Sequence, residues 1–120
     1  MGTEFESVFA RLRGILEKHA ATLHVKEDKP GSYILETGVH PKLKRRLWFG
    51  AARIGKNYVS YHLMPVYAHR PLLNSVSKQL KVRMQGKACF NFKAVDEALL
   101  AELEGLTARG YMAFKKAGYI

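Results

Sequence analysis

Two stretches of helical apolar period stand near the ends of this chain and bracket a series of short β-like runs, an order that restricts the fold to helices packed on a sheet. In the first stretch Phe5, Val8, Phe9, Leu12, Ile15, Leu16, His19, Ala20 and Leu23 recur at three- and four-residue steps, which predicts an amphipathic helix over about residues 4 to 23. Thr3 followed by Glu6 fits a capping box, in which hydroxyl and carboxylate each satisfy a free backbone N–H. In the last stretch Leu99, Leu100, Leu103, Leu106 and Phe114 form the stripe and Asp96 is placed to cap it, with Gly110 a point where the helix could break.

Between these ends, residues 33 to 37, 47 to 54, 58 to 63 and 88 to 92 are rich in aromatic or branched side chains and predict four strands. Gly55-Lys56-Asn57 is a hairpin connection, and Asp28, Pro30 and Gly31 make residues 25 to 32 a reversal of the chain. Ser77 is placed to cap a short helix over 78 to 85, ended by Gly86 in a left-handed conformation. The expected architecture is α+β, a two-layer sandwich whose antiparallel sheet of about four strands carries the N-terminal and C-terminal helices on one face. Its other face is open. A chain of 120 residues, 48% apolar and 25% charged, suits a single domain over 1–120 with a core of its own.

Charge is unevenly distributed. Between Thr37 and Val95 there is no Asp or Glu, yet there are twelve bases: Lys42, Lys44, Arg45, Arg46, Arg53, Lys56, Arg70, Lys78, Lys81, Arg83, Lys87 and Lys93. The flanking segments are each near neutral, so the net charge of +10 resides in the middle of the chain. Because that middle supplies most of the sheet, the open face is expected to be positive and to attract an anion. Trp48, Phe49, Tyr58, Tyr61, Tyr67, Phe90 and Phe92 are interleaved with these bases, a mixture that could also grip phosphates and stack on bases of a nucleic acid. The same aromatics equally suit a sheet's own core.

Other chemistries find little purchase. Cys89 is the one cysteine and can form no internal bridge, and the first ten residues lack the features of a secretory signal, so a cytoplasmic location is expected. No apolar run is long enough for a transmembrane segment. His19, His24, His40, His62 and His69 lack zinc spacing, and the acid-free middle offers neither a hard-cation site nor a carboxylate pair for acid/base work. Period-two alternation puts Cys89 and Asn91 on one side of a strand, where His62 of the neighbouring hairpin is the obvious base were Cys89 a nucleophile. A single Cys in an apolar strand more often packs than reacts. No catalytic residue, metal or cofactor is therefore assigned.

The segments Phe49-Gly-Ala-Ala-Arg-Ile-Gly-Lys, Tyr61-His-Leu-Met-Pro-Val-Tyr and Arg83-Met-Gln-Gly-Lys-Ala-Cys-Phe-Asn-Phe resemble the bacterial YdhG-like family of unknown function, over nearly the whole chain. That resemblance implies the same order of helix, hairpin, phenylalanine-rich strand and leucine-rich end. Some members are likened to frataxin and proposed as iron chaperones, which would need a ridge of carboxylates. Here Glu4, Glu6 and Glu17 are spaced among Arg11, Arg13 and Lys18, a departure from that pattern. The expectation is a binding domain rather than an enzyme, taking an anionic ligand through Arg53, Tyr61, Lys81, Arg83, Lys87 and Asn91. A nucleic-acid-associated protein, a frataxin-like iron-binding protein and a homodimer formed through the exposed sheet are the alternatives.

Overall fold

Helix α1 (Gly2–Glu17) lays Val8, Leu12 and Leu16 on the sheet, each with no exposed surface, as the sequence period requires. The computed structural model describes the backbone from residue 2 to residue 120 and side chains from Glu4 onward. The capping box expected of Thr3 and Glu6 thus falls outside the described residues. The helix is shorter than the period suggests: a single 3₁₀ turn, Ala20–Thr22, follows, and Leu23 is already extended.

The chain leaves the helix early because His24 begins a strand. Residues 25 to 32, expected to be a reversal only, are mostly β1 (His24–Lys29), so the sheet has five strands rather than four. β1 carries one apolar side chain, Val25, and its strand geometry is imposed by backbone pairing with β2 (Ser32–Val39), beginning at His24 opposite Glu36. The reversal itself shrinks to Pro30-Gly31, with Gly31 at φ 81°, the positive value that the third position of a type II turn requires. A row of charges on an exposed edge strand discourages pairing with another chain.

β3 (Arg46–Ile54), β4 (Val59–Leu63) and β5 (Cys89–Phe92) complete an antiparallel sheet of order β1-β2-β3-β4-β5. The expected β3 to β4 hairpin is present, closed by Gly55 N–H donating to the Tyr58 carbonyl at 2.8 Å. The segment after β4 holds α2 (Met64–Ala68), a 3₁₀ turn at Arg70–Ser75, and α3 (Lys78–Lys81), which is shorter than expected. Ser77 caps α3, its hydroxyl accepting from Leu80 N–H at 3.1 Å. The backbone then covers the outer edge of β5: Asn91 N–H donates to the Arg83 carbonyl at 2.8 Å and Gln85 N–H to the Cys89 carbonyl at 2.9 Å.

α4 (Glu97–Lys116) is capped by Asp96, whose carboxylate accepts from Leu99 N–H at 3.2 Å. It lies beside α1, joined to it by a bidentate pair from Arg11 to Glu97, at 2.7 and 2.6 Å, and by Lys18 with Glu104. The helix does not break at Gly110. A Cβ there would lie 2.9 Å from Cβ of Pro65, so the missing side chain is what lets α4 approach α2. Gly50 plays the same part for α1, since its Cβ would meet Leu16 at 2.7 Å. Helices and sheet enclose one hydrophobic cluster in which Phe49, Leu63, Phe90 and Phe92 meet Leu12, Leu16, Leu103 and Leu106. Each such side chain contributes about 1.5–3 kcal/mol by leaving water. Among the described residues no helix is long and apolar enough to cross a membrane.

Candidate anion site on the open sheet face

Cross-strand register decides which side chains stand together on the face that the helices leave uncovered, because partners in a ladder project to the same side. Lys29 pairs with Ser32, Ser32 with Arg53, Arg53 with Ser60 and Ser60 with Asn91. One row of five hydrogen-bonding side chains therefore crosses all five strands. The next row runs Glu27, Ile34, Ala51, His62 and Cys89, and beyond it Glu36 faces Trp48.

At the β1 end this face is charge-balanced. Glu27 accepts from the Ser32 hydroxyl and lies 3.6 Å from the Lys29 ammonium. The Ser32 hydrogen bond is the main reason its carboxyl is held below the ordinary range, with Lys29 and Arg53 adding to the effect. Glu36 is 3.7 Å from Lys26, which also lies 5.5 Å from the centre of the Trp48 ring. The continuous cationic layer expected of the open face is thus interrupted. The reason is topological: β1 and β2, from the acid-bearing start of the chain, contribute two of its five strands.

From β3 to β5 the rows themselves hold no carboxylate, although on its β2 side Arg53 also borders a cleft of about 660 Å³ with Glu6 and Glu27. Arg53 is exposed and forms no ion pair among the described residues. It borders a cleft of about 310 Å³ with Lys56, Asn57, Tyr58, Ser60 and His62. Half-burial and then the nearby Arg53 push the His62 imidazole below its ordinary pKa, so it is neutral at pH 7. Its ring meets Trp48 edge-on at 6.3 Å. The cleft is therefore lined by two cations, two hydroxyls, an amide and an uncharged imidazole, a donor set suited to an oxyanion.

Two further clefts border this surface. One, of about 310 Å³, lies between Tyr58, Arg83, Gln85, Asn91 and Lys93, and the other, of about 370 Å³, between His62, Met64, Tyr67, Gln85, Lys87 and Cys89. Gln85 joins them, accepting from the Asn91 amide at 2.7 Å and the Tyr58 hydroxyl at 3.3 Å.

Of the six residues expected to contact a ligand, Arg53 and Asn91 share the long row, Arg83 flanks Asn91, and Lys87 stands over Tyr67 at 5.7 Å. Lys81 is exposed on α3 and borders none of these three clefts. Tyr61 is a correction. It has no exposed surface, because period-two alternation turns it to the helices between Ser60 and His62. Lys56 and Ser60 were missed; writing the hairpin register opposite Arg53 would have found Ser60.

Cys89 and His62 are register partners, but no hydrogen bond joins them. The thiol donates to Asn91 Oδ1 at 3.4 Å, and burial raises its pKa against a smaller opposite effect of a hydrogen bond to Ser60. A neutral thiol beside a neutral imidazole is not an activated nucleophile. Among the described residues no three His, Cys, Asp or Glu side chains are grouped to hold a metal ion.

Fold and face together define a two-layer α+β protein with a hydrogen-bonding, locally cationic sheet surface. Comparison with known proteins gives no matching family model, no matching curated sequence and no matching solved structure.

Proposed function

We propose that this protein is a binding domain of the YdhG-like type, acting in the cytoplasm, which holds an anionic ligand on its open sheet face without transforming it. The observation that carries the reading is the Arg53 guanidinium, unpaired among the described residues and set between Ser32 and Ser60 in a row free of carboxylates from β3 to β5. Lys56 adds charge at the rim of the same cleft, and Asn91 and Arg83 extend the donors beyond β4. The quoted sequence segments support the family, and the lone Cys89 fits a reducing compartment.

The test is titration with inorganic pyrophosphate and, separately, with a short single-stranded oligonucleotide. Losing a charge-assisted hydrogen bond costs about 1.5–3 kcal/mol, so R53A is expected to weaken binding by about 10- to 150-fold. Tighter binding of the oligonucleotide, with a steep salt dependence, would identify the ligand as nucleic acid. Equal affinity of R53A and the parent protein for both probes would refute the site.

A further inference from the structure

We infer that the loop between β2 and β3, together with the C-terminal turn of α4, forms a second surface that docks on an anionic lipid membrane. This surface is distinct from the Arg53 cleft and does not depend on it. Lys42, Lys44, Arg45 and Arg46 follow β2, and Lys115 and Lys116 end α4; all six are exposed. The fold brings the two groups together through the His40 ring, whose centre lies 5.3 Å from that of Tyr119 just beyond α4. No Asp or Glu occurs within residues 37 to 95, and the acid nearest the loop in sequence, Glu36, lies 3.7 Å from the Lys26 ammonium.

The loop is held in shape rather than left slack. His40 Nδ1 accepts from the backbone N–H groups of Lys42 and Leu43 at 3.1 and 3.2 Å. His40 N–H donates to the Arg45 carbonyl at 2.9 Å, and Lys44 N–H to the His40 carbonyl at 2.8 Å. Lys44 is held at φ 60°, a conformation that long side chains seldom adopt, and the only positive φ outside glycine among the described residues. This geometry fixes an apolar residue, Leu43, between two lysines with 48% of its surface exposed, and Val39 at the end of β2 is 60% exposed.

The exposed apolar residues decide between the two polyanions that such a patch could meet. A nucleic acid would use free aromatic rings for stacking, whereas the rings here, His40 and Tyr119, are packed on each other. A bilayer with anionic headgroups takes cations at its surface and a leucine below them, which is the arrangement presented. Met112, one turn before Lys115 and Lys116 and 59% exposed, offers a further apolar contact on the helix.

The test is co-sedimentation with vesicles of phosphatidylcholine alone and of phosphatidylcholine mixed with phosphatidylserine. Binding is expected to the mixed vesicles only, and to fall as salt is raised. K42E/K44E is expected to weaken it by at least about tenfold, and L43A by about three- to tenfold. K78E/K81E changes the net charge equally on a distant helix and is expected to leave binding within about twofold. R53A should leave it unchanged, which separates this surface from the proposed ligand site. Absence of vesicle binding, or equal losses in the two double variants, would overturn the inference. So would an oligonucleotide that binds through Lys42 and Lys44 while L43A has no effect on either partner. The substituted side chains are exposed, and circular dichroism of each variant checks that the fold is kept.

Discussion

The Tyr61 hydroxyl lies 2.6 Å from the Thr107 hydroxyl, in a core position where neither residue has exposed surface. Thr107 spends its own proton on the Leu103 carbonyl at 2.8 Å, so Tyr61 is the donor of the pair. Burial accordingly drives the Tyr61 pKa far up, and the contact ties β4 to α4. Y61F removes the donor and leaves an acceptor unfilled, whereas T107V strands a buried hydroxyl donor. Thermal unfolding should therefore rank T107V, at about 1–3 kcal/mol lost, below Y61F, at about 1 kcal/mol lost. The reverse order would show that Thr107 supplies the proton.

Two glycines of α4 should respond to alanine with opposite signs. At Gly105 the nearest atom to an added Cβ is the end of the Arg109 side chain at 3.5 Å, so G105A should gain up to about 1 kcal/mol of helix propensity. At Gly110 the added atom meets Pro65 at 2.9 and 3.2 Å, and overpacking of about 1–3 kcal/mol outweighs the same gain. Denaturant titration of both variants checks the contrast, and a stabilised G110A would mean that α2 yields easily.

His62 links the sheet face to pH. Its folded-state pKa is below the ordinary 6.5, so the unfolded chain takes up the proton first. The stability it contributes is complete above that value and is lost as pH falls through the depressed one. An anion beside Arg53 works the other way, favouring the protonated ring. Sulfate, which does not titrate in this range, should bind more tightly as pH falls from neutral, and should move the His62 imidazole pKa up in an NMR titration. H62N should abolish that pH dependence. A His62 pKa unmoved by saturating sulfate would place the anion elsewhere.

The Cys89 thiol should alkylate slowly. Burial raises its pKa, which leaves little thiolate at pH 7.5, so iodoacetamide should react more slowly than with free cysteine and accelerate only in more alkaline solution. A rate equal to that of free cysteine would reveal an accessible thiolate and reopen the pairing with His62.

Local signals were legible where neighbours in sequence are also neighbours in space. Ser77 and Asp96 cap the helices assigned to them, because a cap needs only the N–H groups of the next turn. The β3 to β4 hairpin forms around Gly55 for a similar reason. β1 was not legible, since a charged strand has no apolar alternation and receives its geometry from the backbone of β2. Tyr61 was misplaced because an aromatic residue within a basic segment says nothing of which face it takes until the register is known.

The amino-acid order alone determined the two helical stripes, most of the strands and the confinement of surplus positive charge to the middle of the chain, all of which depend on short-range spacing. Only tertiary structure decided that Glu27 and Glu36 would interrupt the open face, that Arg53 would stand between two serines, and that the Lys42 to Arg46 loop would meet the end of α4. The reason is that cross-strand register and packing join residues distant in sequence, and a slip of one residue in a strand would send its Glu27, Glu36 or Arg53 side chain to the opposite face.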